Sequence, residues 1–186
     1  MKNSAKWVTI IALSVVINIV GSKLSGALSL PIYLDSIGTI MAGTIIGPGS
    51  GMLVALVGGL VNGALGDIYS IYFSVSGMIM GLMAGLLLHN KKLNWVSVFW
   101  KTFFIVLPAS FVSSIIEVVL FDGVTTALFT TTMIRVLSAT AMSMFSSAFL
   151  IQLITDYFDK LVAVILTKEI LKRMPYDMVH MSVKKK

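Results

Sequence analysis

The chain has 186 residues, of which 57% are apolar and only 12% charged, and its mean hydropathy is +0.96. That balance excludes an ordinary soluble domain and points to an integral membrane protein. The net charge of +6 calls for no nucleic-acid partner, because membrane topology and anionic lipid account for it, and the lack of cysteine removes disulfides and thiolate metal sites.

In chain order, apolar segments cover 7–20, 32–46, 51–65, 69–88, 95–121 and 125–154, which predicts a six-transmembrane-helix, all-α bundle forming one membrane domain over 1–186. The first two fall short of the roughly 20 residues that cross about 30 Å of hydrocarbon, so flanking polar residues or tilt must complete them. Residues 1–27 also have the outline of a secretory signal, with Lys2 and Lys6 before an apolar core and Ser25, Gly26 and Ala27 after it. The expectation is that they are kept as the first span. Lys2, Lys6, Lys91, Lys92, Lys168, Lys172, Arg173 and 184–186 fall on one side of this arrangement, and Lys23, Asp35, Asp67 and Asp122 on the other. By the positive-inside rule both termini are then cytoplasmic.

The first outer loop reads LPIYLDSIGT. Its Asp35 is expected to cap the second span, where a carboxylate accepts from free N–H groups at the positive helix end. The functional alternative is that Tyr33 and Asp35 face a ligand or latch a lid. A GPGSG turn opens span three, which carries Gly51, Ala55, Gly59 and Gly63 at successive i+4 positions; span four repeats the pattern with Gly77, Gly81 and Gly85. Such stripes let helices approach closely in lipid, where the hydrophobic effect cannot drive their packing.

Three ionisable residues, Lys101, Glu117 and Arg135, lie within the predicted spans, where a central charge costs about 2.5–3.5 kcal/mol. Lys101 is expected to snorkel to the headgroups. Glu117 and Arg135 are expected at one depth near the outer face. They form either a structural ion pair or the floor of an outward-opening pocket in which Arg135 offers its planar fork to an anion. Asn62, Tyr69, Tyr72 and Ser76 gather at the same level and, with Tyr33 and Asp35, complete the candidate substrate site. For each tyrosine the other reading is an interfacial belt. Asp156 and Asp159, followed by Lys160 and Lys168, read as a solvated interfacial helix over 156–174, continuing as a basic cytoplasmic tail to 186.

No P-loop is present, and neither His89 nor His180 has a metal-ligand partner at helical spacing. Catalytic residues, cofactor and metal are therefore not expected, and an intramembrane enzyme would have only Glu117, Arg135 and Lys101 to work with.

Six short helices with both ends inside, the LPIYLDSIGT loop and the GPGSG turn before a glycine-rich third span resemble the substrate-binding S components of energy-coupling factor vitamin transporters. The resemblance covers essentially the whole chain. It implies a multi-pass protein of a bacterial cell membrane that captures a vitamin at the outer face under its loops. Such a protein topples in the bilayer when driven by a transmembrane T component and two ATPase subunits. Many members carry Ala-x-x-x-Ala on span one for docking; here Ala12 is followed by Val16, and the alternative face is Ser14 with Asn18. The loop and the ending DYFDK…LKRMP look most like the pantothenate-specific member. That likeness implies Arg135 on the ligand carboxylate, with Asn62, Tyr69 and Tyr72 on its neutral end. Folate, riboflavin, cobalamin and pyridoxine remain open, as does a stand-alone ion-coupled carrier centred on Glu117.

Overall fold

The computed structural model describes residues 2–28, 30, 32–91, 93–125, 127–140 and 142–174, with the side chains of 2–4 left aside. Pro31 of the first loop, Lys92 and the basic tail over 175–186 lie outside them. Among the described residues the chain is wholly helical: α1 (Lys2–Ala27), α2 (Ile37–Ile45), α3 (Pro48–Ala64), α4 (Ile68–Leu88), α5 (Trp95–Phe121), α6 (Leu128–Ser138) and α7 (Met144–Arg173). Three stretches, Ala5–Ala27, Ile68–Leu88 and Trp95–Phe121, are long and apolar enough to cross a membrane.

The glycine stripes do what their spacing predicts. A Cβ on Gly51 would meet the backbone of Gly81 and the reverse, Gly85 lies against Pro48, Gly77 against Ala55, and Gly59 against Ser70 and Ser74. The antiparallel α3–α4 pair is therefore packed backbone to backbone along its length.

Two boundaries differ from the sequence reading. The second span shrinks to the nine residues of α2, because the loop before it folds back along α1 instead of staying at the bundle end. The carbonyl of Leu34 lies on Gly21, and Gly38 lies on the backbone of Ser14, contacts that leave no room for a Cβ at either glycine. The segment 125–154 is not one span: α6 ends at Ser138 and α7 starts at Met144, so the chain turns between them. Residues 156–173 are thus no separate helix but the second half of α7, and Asp156, Asp159, Lys160, Thr167 and Lys168 in it are buried. Of the apolar run 161–166 that follows, Ala163 and Val164 are fully buried, while Val162 and Leu166 stay exposed.

Ile10 of α1, Met41 and Ile45 of α2, and Ile170 and Leu171 of α7 share one apolar cluster, so the first half of α1 and the end of α7 meet at one end of the bundle. At that end Lys168 Nζ also sits 3.7 Å over the ring of Trp95. A second cluster joins Ile40, Met80, Ala84, Leu88, Val98, Ile105 and Val164 through the centre.

Candidate ligand-binding site

At the opposite end the bundle is hollow. A chamber of about 120 Å³ is lined by α1 (Asn18, Ser22), the first loop (Tyr33, Asp35), α3 (Gly58, Asn62), α4 (Tyr69, Phe73, Ser74, Ser76), α5 (Ala109, Ser113) and α7 (Gln152, Asp156, Lys160), with Asp67 and Thr125 from the connections. The small residues of the α3–α4 seam matter here too, since Ala55, Gly59 and Gly77 form part of the wall.

The wall is organised by Lys160, halfway along α7. Its Nζ lies 2.6 Å from Asp159 Oδ2, 3.4 Å from Asp156 Oδ1 and 3.6 Å from Asp35 Oδ1. The i, i+3, i+4 spacing of 156, 159 and 160 puts all three on one helix face. Two of the acids are also held elsewhere. Asp156 Oδ2 accepts from Ser110 Oγ on α5 at 2.7 Å, and Asp159 Oδ1 accepts from the Leu34 backbone N–H at 3.0 Å. Leu34 has φ +53°, a left-handed conformation unusual for a side chain of this kind. Tyr33 lies below the ammonium, 5.6 Å from Nζ to ring centroid, and its hydroxyl is 3.4 Å from Thr130 Oγ1 of α6. Burial pushes the Tyr33 phenol up, so it remains a neutral hydroxyl.

A second set of bonds fixes the start of α2. Asn18 of α1 accepts from Gly38 N–H at 2.7 Å and donates to Thr39 Oγ1 at 2.8 Å. The expected role of Asp35 as the cap is corrected by this arrangement: the N-cap position is Ser36, which makes no side-chain cap bond. Asp35 instead turns to Lys160. On the far wall Ser76 Oγ lies 2.9 Å from the Ala109 carbonyl and 2.6 Å from Ser113 Oγ, tying α4 to α5.

Of the expected site residues, Tyr33, Asp35, Asn62, Tyr69 and Ser76 line the chamber. Tyr72 does not. It is exposed and meets Phe121 edge-on at 5.4 Å, beside Tyr69 and Phe73, which contact the same ring. Glu117 is fully buried, and neither carboxyl oxygen has a hydrogen-bond partner among the described residues. Arg135 is exposed, lines no part of the chamber and makes no ion pair with Glu117. Both readings of that pair, structural bridge and pocket floor, are corrected by its geometry. α6 turns Ile134 inward, at 0% exposure, so the next residue, about 100° around the helix, faces out. Arg135 sits in the last turn of α6, where a cation suits the negative helix end.

The expected docking face on α1 is split. Ser14 and Asn18 are buried against α2, which removes them from any outer surface, whereas Ala12 and Val16 are exposed beside Leu13 and Val20. Sequence reasoning missed Asp156, Lys160 and Gln152. The available signal was that the apolar pattern resumes directly after Lys160, which an interfacial helix with a polar face would not show.

Comparison with family models, with curated proteins and with solved structures returned no match.

Proposed function

We propose that this chain is the ligand-capturing subunit of a membrane importer of the energy-coupling factor type. It takes a small vitamin or precursor into the chamber, and it depends on a T component and two ATPase subunits for uptake. The observation that carries the reading is the half-open chamber of mixed polar and apolar lining at the bundle end opposite the start of α1 and the end of α7, where loop and helix residues converge on Lys160. With the lysine-rich ends on the cytoplasmic side, as the positive-inside rule assigns them, that chamber faces outward, the side from which an importer must load. The chain's own residues offer binding groups and no phosphate cradle, which suits a subunit that leaves ATP hydrolysis to others. The exposed Ala12, Leu13, Val16 and Val20 face of α1 is the surface offered to the T component.

The pantothenate assignment loses its chemical support, because it placed Arg135 on the ligand carboxylate and Arg135 stands outside the chamber. Volume also bears on the choice. About 120 Å³ lies below the 300–1,000 Å³ common for ligand pockets, so a single substituted ring fits more readily than folate, riboflavin or cobalamin.

One observation favours a second reading. Glu117, buried and without a hydrogen-bond partner among the described residues, is the kind of group on which a proton-coupled carrier would centre. Tagged protein purified from its native membrane separates the two. The proposed function expects an ATPase–T-component complex to co-purify. A solitary chain that drives uptake in vesicles under a proton gradient alone would establish the carrier instead.

A further inference from the structure

We infer that the first half of α5 carries a site for one anionic phospholipid, its phosphate held between Lys91 and Lys101 and an acyl chain lying in the apolar groove beside Pro108. The site is remote from the chamber and does not depend on the capture function.

Charge is the first ground. Residues 68–116, which make up α4, the connection after it and most of α5, include no acid, and their charged members are Lys91, Lys92 and Lys101. Lys91 is exposed in the turn that follows α4; Lys101 is half-buried, less than two turns into α5. The two stand close enough for their positive charges to repel. An anion seated between them turns that repulsion into two attractions. Nearby, Lys168 over the Trp95 ring adds to the positive field, and Glu169 of the same turn is taken up by Lys172 at 2.6 Å. Basic recesses of this kind on the cytoplasmic side, where the positive-inside rule puts this end, receive anionic headgroups.

Depth and shape are the second ground. Trp95 and Trp100 are exposed on either side of the pair, as tryptophans at headgroup level are. The stem of Lys101 reaches the same level. Positions 101, 104, 108, 111 and 112 recur at helical spacing and share one face of α5. About 10 Å further along that face, past the exposed Phe104, an open apolar groove of about 360 Å³ is lined by Leu107, Pro108, Phe111 and Val112, with Ile79 of α4 and Phe149 of α7. A chain hung from a phosphate at Lys101 runs straight into it. Free phosphate has no use for the groove, and a zwitterionic lipid brings its own cation to the lysines, so the anionic phospholipid fits both halves of the site.

The test uses the delipidated full-length protein in detergent, mixed with phosphatidylglycerol or phosphatidylcholine of identical acyl chains. Bound lipid is counted by native mass spectrometry and the melting temperature is read alongside. The expected result is one phosphatidylglycerol retained at least tenfold more tightly than phosphatidylcholine. Lys91→Gln and Lys101→Gln should each weaken it at least fivefold, whereas Lys172→Gln combined with Arg173→Gln, a larger charge loss at the same end, leaves it within twofold. In the parent protein, phosphatidylglycerol with a photoreactive acyl chain should crosslink within 104–112, a readout that stands even where a lysine variant folds poorly. Equal retention of the two lipids overturns the inference, as does equal weakening by the Lys172 and Arg173 pair, which would mean diffuse charge alone. Crosslinks confined to other segments overturn the groove, and displacement of the lipid by an equal concentration of glycerol phosphate shows a phosphate site in place of a lipid site.

Discussion

Lys160 and Arg135 show how little a charge's place in the sequence says about its work until neighbours are known. Both lie in apolar surroundings, yet Lys160 is buried among three carboxylates and Arg135 faces outward. Removing one member of a buried ion network leaves its partners uncompensated, typically at 3–5 kcal/mol. Lys160→Met is therefore expected to lower the melting temperature sharply and to abolish ligand binding, as read by thermal unfolding in detergent. The double variant Lys160→Met with Asp159→Asn recovers part of that loss. Arg135→Ala is expected to leave ligand affinity within about twofold, measured by calorimetry on any ligand that the parent protein binds; a tenfold loss would return Arg135 to the site. At this scale the sequence was half legible. Tyr33, Asp35, Asn62, Tyr69 and Ser76 could be found because they cluster near predicted outer ends. Lys160 and Asp156 could not, because their depth depends on where α7 begins.

That beginning is a matter of elements. The two later helices long and apolar enough to cross a membrane, α4 and α5, coincide with their predicted spans, as does the seam between α3 and α4, since glycine at i+4 spacing has one simple geometric use. The segment 125–154 misled because its helix breaks between Ser138 and Met144, where hydropathy gives no clear stop. The first loop misled for a different reason: its Leu34 amide is satisfied inside the bundle by Asp159, and the start of α2 just after it by Asn18, partners remote in sequence. Gly81→Ala tests the seam. Its Cβ would enter the backbone of Gly51 and Met52, so the helices must part. Overpacking of this kind costs about 1–3 kcal/mol, and the variant is expected to show a lower melting temperature. Because Ala55, Gly59 and Gly77 of the same seam also wall the chamber, ligand affinity should fall with it.

For the whole molecule, the two ends of the bundle have different characters. One is closed by apolar packing of Ile10, Ile45, Ile46 and Ile170; the other holds the chamber and its acids. Under the proposed function, a site open at one end would give capture without passage. Reconstituted alone in vesicles, the protein is expected to bind ligand at equilibrium but to accumulate none, with or without a proton gradient, as measured by uptake of labelled ligand. Addition of an ATPase–T-component module and ATP is expected to produce uptake.

Leu34 is seated on α7 through its main-chain amide, and the left-handed turn there gains nothing from leucine's own side chain. The anchorage of the first loop is thus indifferent to most replacements at that position. Glycine or asparagine would sit there with less strain, and proline alone would cast the loop off. Neighbouring positions 33 and 35 reach Thr130 and Lys160 through their side chains, so they add to that anchorage without having to carry it alone.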